Sequence, residues 1–336
     1  MLKQASKKHF LLLFVILLFL CLLNISLGSV SIPFKDILNT LTGGITTKES
    51  WQTIILNFRL PKAITAILVG SGLSVAGLLM QTFFRNPLAG PFVLGISSGA
   101  SFGVALFILG SSLFSGFLMT NSISNWSLPM ASSAGAFLVL SAVVIAANKV
   151  KNTMSILIIG LMFGSLTAAL ISILTYFSTA AQIQQFLFWS FGSLGNLSWN
   201  ELSIFIAVYS IAILATVAVV KPLNSLLLGE NYAKSSGVNI KKSRNIILLI
   251  TSILTGVITA FAGPIAFIGL AVPHIARIIF STANHKILIP AVLLLGAIVM
   301  LICDTISQLP TSEFTLPINC LLYTSDAADD LLCVDL

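Results

Sequence analysis

Long uncharged runs of apolar residues, separated by short polar linkers, form the pattern of this chain. Residues 63–84 are the clearest run: they contain no charged side chain, and Arg85, Asn86 and Pro87 follow directly. An α-helix of roughly 20 apolar residues crosses a hydrocarbon layer about 30 Å thick. The pattern therefore predicts a membrane-spanning helix that is followed by a tight turn at one membrane face.

The small residues of this run indicate what surrounds the helix. Gly, Ala and Ser let two helix backbones approach closely inside a membrane. A lone helix in lipid does not need them. We therefore expect this helix to pack inside a bundle through Gly70, Ser71, Gly72, Ser74, Ala76 and Gly77.

Further apolar runs extend the pattern over most of the chain. Hydrophobic residues make up 57% of the sequence and charged residues 8%, whereas soluble domains carry about 25% charged residues. The first run follows a basic amino terminus but precedes no small-x-small cleavage site, so we interpret it as an uncleaved span. We predict an all-α, polytopic protein of the lipid bilayer with spans over residues 10–27, 62–84, 92–110, 129–148, 154–177, 201–220, 245–262, 265–282 and 287–303.

The linkers between these spans differ in charge. Most of the 17 Lys and Arg residues fall in alternate linkers, and loops rich in Lys and Arg stay on the cytoplasmic side of a membrane. This distribution accounts for the net charge of +7 without a nucleic-acid partner. We predict that the amino terminus is cytoplasmic, together with the linkers near residues 85, 150, 221–245 and 277–286.

The longest basic linker, residues 221–245, is not simply polar. Pro222 is suited to begin a short helix that Gly229 ends, and a second short helix is predicted over residues 230–235, ended by Gly237. Two short amphipathic helices in a basic loop indicate a docking surface, although a helix lying on anionic lipid fits the same pattern. The apolar face of the first helix would consist of Leu223, Leu226, Leu227 and Leu228.

Motifs for catalysis or nucleotide binding are absent from the sequence. It contains no G-x-x-x-x-G-K-[ST] phosphate loop, no H-E-x-x-H and no G-x-S-x-G. The four cysteines lack metal-ligand spacing. We therefore expect a protein that is not an enzyme, that holds no cofactor or metal, and that takes its energy from a partner.

An ion-coupled secondary transporter is the alternative. Such carriers use an ionisable side chain within a span, and the candidates are His274, Arg277 and Asp304. His274 and Arg277 fit a cap at the cytoplasmic end of a helix as well as a proton or anion site. Asp304 lies at a predicted external end, where a carboxylate costs little. The scarcity of charge within the spans disfavours this alternative.

Several long, collinear segments resemble the FecCD family, the membrane permeases of ABC importers for iron–siderophores, haem and cobalamin. The resemblance implies a ten-helix permease of the bacterial cytoplasmic membrane that works as a homodimer or with a homologous permease. It also implies two cytoplasmic ABC ATPase subunits and an extracytoplasmic substrate-binding protein. The matching segments are residues 58–81, 85–100, 223–240, 262–279 and 294–308.

The resemblance assigns roles in docking. Arg59 and Lys62 match the basic pair of the family's L-R-L-P-R motif, which implies contact with acidic residues of the binding protein; anchoring at the membrane interface is the alternative. A second set matches the coupling loop that seats in a groove of the ATPase. It consists of Gly229, Glu230, Ala233 and Gly237.

The resemblance also assigns residues to the translocation path. Asn86 and Leu88 match positions that narrow its cytoplasmic end, although a turn without a gating role fits equally well. Gly160 and Gly164 fall in the span that lines the pore in this family. Their spacing alone is a small-xxx-small packing motif, so helix packing is as good an interpretation.

The carboxyl-terminal segment departs from the family. After residues 314–319, FTLPIN, the family continues into a final span with a Gly-Ala-Pro motif, whereas this chain reads CLLYTSDAADDLLCVDL. No span of about 20 apolar residues fits there. We expect residues 1–319 to form the permease domain, residues 320–336 to be a non-native acidic tail, and the tenth helix to be missing or replaced.

Overall fold

The chain forms helices and connecting turns. The computed structural model describes residues 2–28, 30–44, 46–110, 126–150, 153–195, 197–308 and 315–323, and no strand occurs within these ranges. The all-α prediction is confirmed for this part of the chain. Its α-helices are α1 (Leu2–Ser26), α2 (Phe34–Leu41), α3 (Glu49–Ile54), α4 (Leu60–Phe84), α5 (Ile96–Ile108), α6 (Ser127–Lys149), α7 (Thr153–Tyr176), α8 (Ala180–Ser190), α9 (Trp199–Leu227), α10 (Glu230–Ser235), α11 (Ile240–Ala262), α12 (Ile268–Phe280), α13 (His285–Ser307) and α14 (Ile318–Tyr323).

Each predicted span coincides with a helix. Seven described helices are long and apolar enough to cross a membrane, and one of them runs without a break from Glu49 through the π-helix Ile55–Arg59 to the end of α4. The other two spans are shorter than expected. A 3₁₀ turn, Pro91–Leu94, precedes α5, and α12 begins only at Ile268. Both helices have 13 residues, about 20 Å at 1.5 Å per residue.

Helix α4 lies at the centre of the bundle, as its small residues predicted. It packs against α13, α11, α12 and α9. A Cβ on Gly70 would overlap the Gly296 carbonyl of α13, and one on Gly77 would overlap the Gly269 carbonyl of α12. Backbones this close leave no room for any side chain larger than hydrogen. The crossing points of three helices therefore depend on these glycines.

The helix predicted to begin at Pro222 does not exist as a separate element. Helix α9 continues through Pro222 and ends at Leu227, so that it has 29 residues. A proline removes one backbone hydrogen bond and normally kinks or ends a helix. Here Leu223 and Leu226, which follow the proline, are buried. Their packing against the bundle stabilises the helical conformation beyond Pro222.

Helix α8 was not predicted, because its segment was taken as a linker. It begins with a capping box, in which Thr179 Oγ1 accepts from the Gln182 backbone and the Gln182 side chain accepts from the Thr179 backbone. Ser198 and Glu201 form the same motif at the start of α9. The S/T-x-x-E/Q pattern is a helix-start signal visible in sequence, so it offered the means to find α8.

The linkers predicted to share the cytoplasmic side meet at one end of the bundle. The rings of His9 and Phe280 lie 5.7 Å apart. Arg244 Nη1 donates to the Val150 carbonyl at 3.1 Å, and His285 N donates to Asn224 Oδ1 at 2.9 Å. These contacts group the amino terminus with the linkers near residues 150, 221–245 and 277–286, while the membrane side that they face stays a prediction.

The predicted boundary at residue 319 falls inside a short helix. Helix α14 runs from Ile318 to Tyr323 and packs against α13. Its residues Ile318 and Leu322 are buried. The rest of the predicted tail, residues 324–336, lies outside the described residues.

Helix packing at Gly77 leads to a first prediction. Gly77→Val should lower the free energy of unfolding in detergent by about 3 kcal/mol or more, since overpacking of a tight site forces backbones apart. Gly256→Ala is the matched control, because a Cβ there would lie 3.6 Å from Ala136 Cβ, an ordinary contact. Thermal unfolding measures the stability of the two variants. Equal unfolding midpoints would contradict the close crossing of α4 and α12 at Gly77.

Candidate coupling surface and translocation path

A compact hairpin connects α9 to α11 at the basic end of the bundle. Gly229 (φ +111°) and Gly237 (φ +80°) turn the chain before and after α10. Both φ values lie in the region that favours glycine. Between them Ala233 is fully buried, its N–H donates to the Gly229 carbonyl at 2.9 Å, and its carbonyl accepts from Val238 N at 3.0 Å. The predicted second helix and its ending at Gly237 are confirmed.

The hairpin presents apolar side chains outward. Leu227, Leu228 and Tyr232 are 44%, 66% and 53% exposed, whereas Leu223 and Leu226 pack into the bundle. The predicted leucine face is thus divided between the interior and the surface. An exposed apolar patch with a polar rim is typical of a protein contact. The charged residues of this part of the chain are Glu230, Lys234, Lys241 and Lys242.

Asn86 and Leu88 form a tight turn after α4. Asn86 Oδ1 accepts from Leu88 N at 2.9 Å, and the Asn86 carbonyl accepts from Ala89 N at 3.1 Å. Arg85 adopts φ +50° to end the helix. Leu88 is 66% exposed, so its side chain points away from the fold at the same end as the hairpin. The turn is therefore observed, and a gating role stays a prediction.

The two glycines of α7 have different surroundings. A Cβ on Gly160 would overlap the Val93 carbonyl of the 3₁₀ turn, whereas one on Gly164 would lie 3.5 Å from Ser98 Oγ. Gly160 is therefore required for packing. Gly164 has space beside it, and its place on a translocation path stays a prediction.

Arg59, at the other end of the bundle, binds carbonyl groups of its own chain. Its Nη1 donates to the carbonyls of Ile25 and Ser26 at 2.8 and 2.9 Å, and Nη2 donates to the Val30 carbonyl. Ile25 and Ser26 are the last residues of α1, where carbonyls lack helical partners and a cation is favourable. Arg59 thus caps α1, a role that sequence reasoning did not assign.

Lys62 also has a partner within the chain. Its Nζ lies 3.1 Å from Asp304 Oδ1, and Asp304 is fully buried. Asn24 Nδ2 and Gln308 Nε2 each donate to Asp304 Oδ2 at 2.8 Å. The expectation that the Asp304 carboxylate costs little is therefore wrong: the group is desolvated, and the Lys62 cation together with the amide donors Asn24 and Gln308 offsets that cost.

Polar contacts link the helices at the basic end. Gln81 Oε1 accepts from Arg277 Nη1 at 2.6 Å, and Gln81 Nε2 donates to the Leu270 carbonyl at 3.0 Å. Arg277 and Gln81 thus join α12 to α4. His274 is exposed on the same helix. The residues considered for ion coupling therefore do not form one site, since Asp304 lies at the opposite end.

The break between α11 and α12 is covered by protein, as expected for irregular backbone at membrane depth. The Ala262 carbonyl accepts from Ser193 N at 2.9 Å, and the Pro264 carbonyl accepts from Asn319 Nδ2 at 2.7 Å. Asn319 also donates to the Ser190 carbonyl at 3.2 Å. The carbonyls of Ala262 and Pro264 are thus paired with the segments around α8 and α14.

Within the described residues, no group of three His, Cys, Asp or Glu side chains is arranged to hold a metal ion. A bundle of apolar helices, seven of which within the described residues are long enough to cross a membrane, is the architecture of a multi-pass membrane protein.

Over residues 16–324 the chain matches the FecCD transport family, and it belongs to that family. The haemin transport system permease protein of Yersinia pestis is 33% identical over 314 residues, covering 92% of this chain and 90% of that protein. The vitamin B12 import system permease protein of Salmonella paratyphi A is 33% identical over 276 residues, 82% of each chain.

A solved structure supports the same fold. It is described as an inward-facing conformation of a metal-chelate type ABC transporter. The TM-score is 0.82 at 28% identity, and the match covers 95% of this chain and 96% of that chain. The predicted ABC permease fold is therefore confirmed.

The buried ion pair leads to a second prediction. Lys62→Met leaves the Asp304 carboxylate without its cation and should lower the free energy of unfolding by about 3 kcal/mol. The double variant Lys62→Met/Asp304→Asn should recover most of that loss, because no buried charge remains and the amide oxygen can still accept from Asn24 and Gln308. Lys149→Met, which changes an exposed lysine at the opposite end, is the control. Strictly additive losses in the double variant would rule out the pair.

Proposed function

We propose that this chain is the permease subunit of an ATP-driven importer for an iron–siderophore or a related metal chelate such as haem or cobalamin. It pairs with a second copy or a homologous permease, and two ABC ATPase subunits dock at its basic, cytoplasmic end. An extracytoplasmic binding protein delivers the chelate. ATP-driven movement of the ATPases switches the access of the central path between the two membrane faces.

The hairpin around α10 carries this proposal. Gly229 and Gly237 fix its shape, Ala233 anchors it against the bundle, and Leu227, Leu228 and Tyr232 are exposed. A rigid apolar surface at the basic end fits a groove on another protein. The names of the two relatives, permeases for haemin and vitamin B12, support a metal chelate as the cargo.

Secondary ion-coupled transport is the weaker alternative. The Asp304 carboxylate is paired with Lys62, and Arg277 is bonded to Gln81. A coupling site requires a group that exchanges its proton or ion during transport. Neither side chain is placed for such exchange in this conformation, whereas the hairpin is placed for contact with a partner.

Energy coupling through the hairpin gives a third prediction. Glu230→Arg should reduce ATP-dependent chelate uptake in proteoliposomes at least about tenfold, a loss of about 1.4 kcal/mol in coupling, because it inverts a charge on the contact rim. Membrane insertion should not change. Lys149→Glu is the control, since this exposed residue lies at the same end outside the hairpin.

Two measurements separate the parts of the proposal. Co-purification of the ATPase tests docking, and uptake of ferric siderophore, haem and cobalamin in parallel tests the cargo. Wild-type uptake and ATPase association in Glu230→Arg would refute the docking assignment. Uptake driven by a proton gradient without ATP would favour the secondary transporter instead.

Docking of the binding protein at Arg59 and Lys62 gives a fourth prediction. A direct charge reversal would also disturb the fold, because both side chains have partners within the chain. The variant Lys62→Met/Asp304→Asn removes the cation without leaving a buried charge, and it keeps an acceptor for Asn24 and Gln308. It should bind the binding protein more weakly than wild type, and with a smaller dependence on salt. Equal affinity and equal salt dependence would limit Lys62 to a structural role.

A further inference from the structure

The short helix α2 has an unusual orientation for a helix at a surface. Phe34, Leu38 and Leu41 are 51%, 41% and 37% exposed. Their i, i+4, i+7 spacing places them on one outward stripe. The opposite side of α2, which is buried against the rest of the chain, consists of Asp36, Ile37 and Thr40.

Hydrogen bonds hold α2 in this orientation. Asp36 Oδ1 accepts from the Thr47 backbone at 3.0 Å and from Thr47 Oγ1 at 2.9 Å. The buried hydroxyl of Thr40 is satisfied within α2 itself, since Thr40 Oγ1 donates to the Asp36 carbonyl at 2.8 Å. Because Asp36 is bonded to Thr47 outside the helix, α2 cannot rotate its apolar stripe toward the bundle without breaking these two bonds.

The position of α2 indicates what those surroundings are. It lies beside the carboxyl-terminal end of α1 and the π-helix Ile55–Arg59. In a membrane permease, the apolar and exposed side of α1 faces acyl chains, and the bonds from Arg59 to the last carbonyls of α1 mark where the polar layer begins. The side chains of α1 exposed in this way are Leu11, Leu12, Phe14, Val15, Leu18 and Phe19.

The flanks of α2 carry residues typical of a membrane–water boundary. Lys35 is exposed, Lys48 Nζ lies 5.0 Å from the centre of the Trp51 ring, and Phe58 is 62% exposed. Aromatic rings and long basic side chains are enriched at the headgroup level, where the apolar part is buried and the charge reaches the phosphates.

We propose that α2 lies in the membrane–water interface as a lipid-binding element at the rim of the bundle. Phe34, Leu38 and Leu41 enter the acyl-chain boundary of the adjacent leaflet, and Lys35 and Lys48 contact lipid phosphates. The proposal depends neither on the cargo nor on which membrane face this end occupies. It assigns a function to a linker that otherwise only joins α1 to α4.

Spin labelling in nanodiscs that contain anionic phospholipid tests the proposal. Nitroxides are placed at Leu38→Cys and Leu41→Cys in a background without the four native cysteines. Glu49→Cys is the control, since Glu49 is exposed in the neighbouring helix α3. The ratio of collisions with oxygen to collisions with a water-soluble nickel chelate should be at least about threefold higher at Leu38 and Leu41 than at Glu49.

Equal ratios at the three sites would show that α2 faces water and would overturn the proposal. Exclusion of both reagents from Leu38 would show a protein cover and would overturn it as well. Photo-crosslinking provides a second test that keeps the native cysteines. With benzoylphenylalanine in place of Phe34, the expected product is a phospholipid adduct, whereas an adduct to a second copy of the chain would contradict lipid contact.

Discussion

Direct backbone contact between α4 and its neighbours is the constraint on which the rest of this structure depends. At Gly70 the chain meets the Gly296 carbonyl, and at Gly77 it meets the Gly269 carbonyl. Lipid surrounds the bundle on the outside, so the hydrophobic effect contributes little to helix association. Close packing must therefore supply the favourable free energy of association. Once these crossings are formed, the ends of α4 bring Gln81 to Arg277 and Lys62 to Asp304.

Much of this architecture was predictable because bilayer thickness and helix rise together determine the length of a span. The spans, the central place of α4 and the grouping of basic linkers follow from that geometry and from charge. The continuation of α9 through Pro222 was not predictable, because local propensity opposes it and only the burial of Leu223 and Leu226 permits it. Helix α8 was missed although its capping residues Thr179 and Gln182 were visible.

The candidate site was predicted less completely than the fold. The helix α10 and its two glycine turns follow from local sequence, since Gly229 and Gly237 are needed where φ is positive. The partners of Arg59 and Lys62 did not follow, because they lie far away along the chain, at Ile25 and at Asp304. Sequence patterns indicate which residues carry charge. Only the folded bundle shows whether a charged side chain is available to another protein or is already paired with a group of the same chain.

Continuity of α9 has a mechanical consequence. At 29 residues the helix is about 44 Å long, and it joins the hairpin at one end of the bundle to Trp199 at the other, where the indole N–H donates to the Leu56 carbonyl at 3.0 Å. Such a rod acts as a lever. A tilt of about 5° imposed at the hairpin displaces the far end by roughly 4 Å, enough to separate that hydrogen bond without any local unfolding along the way.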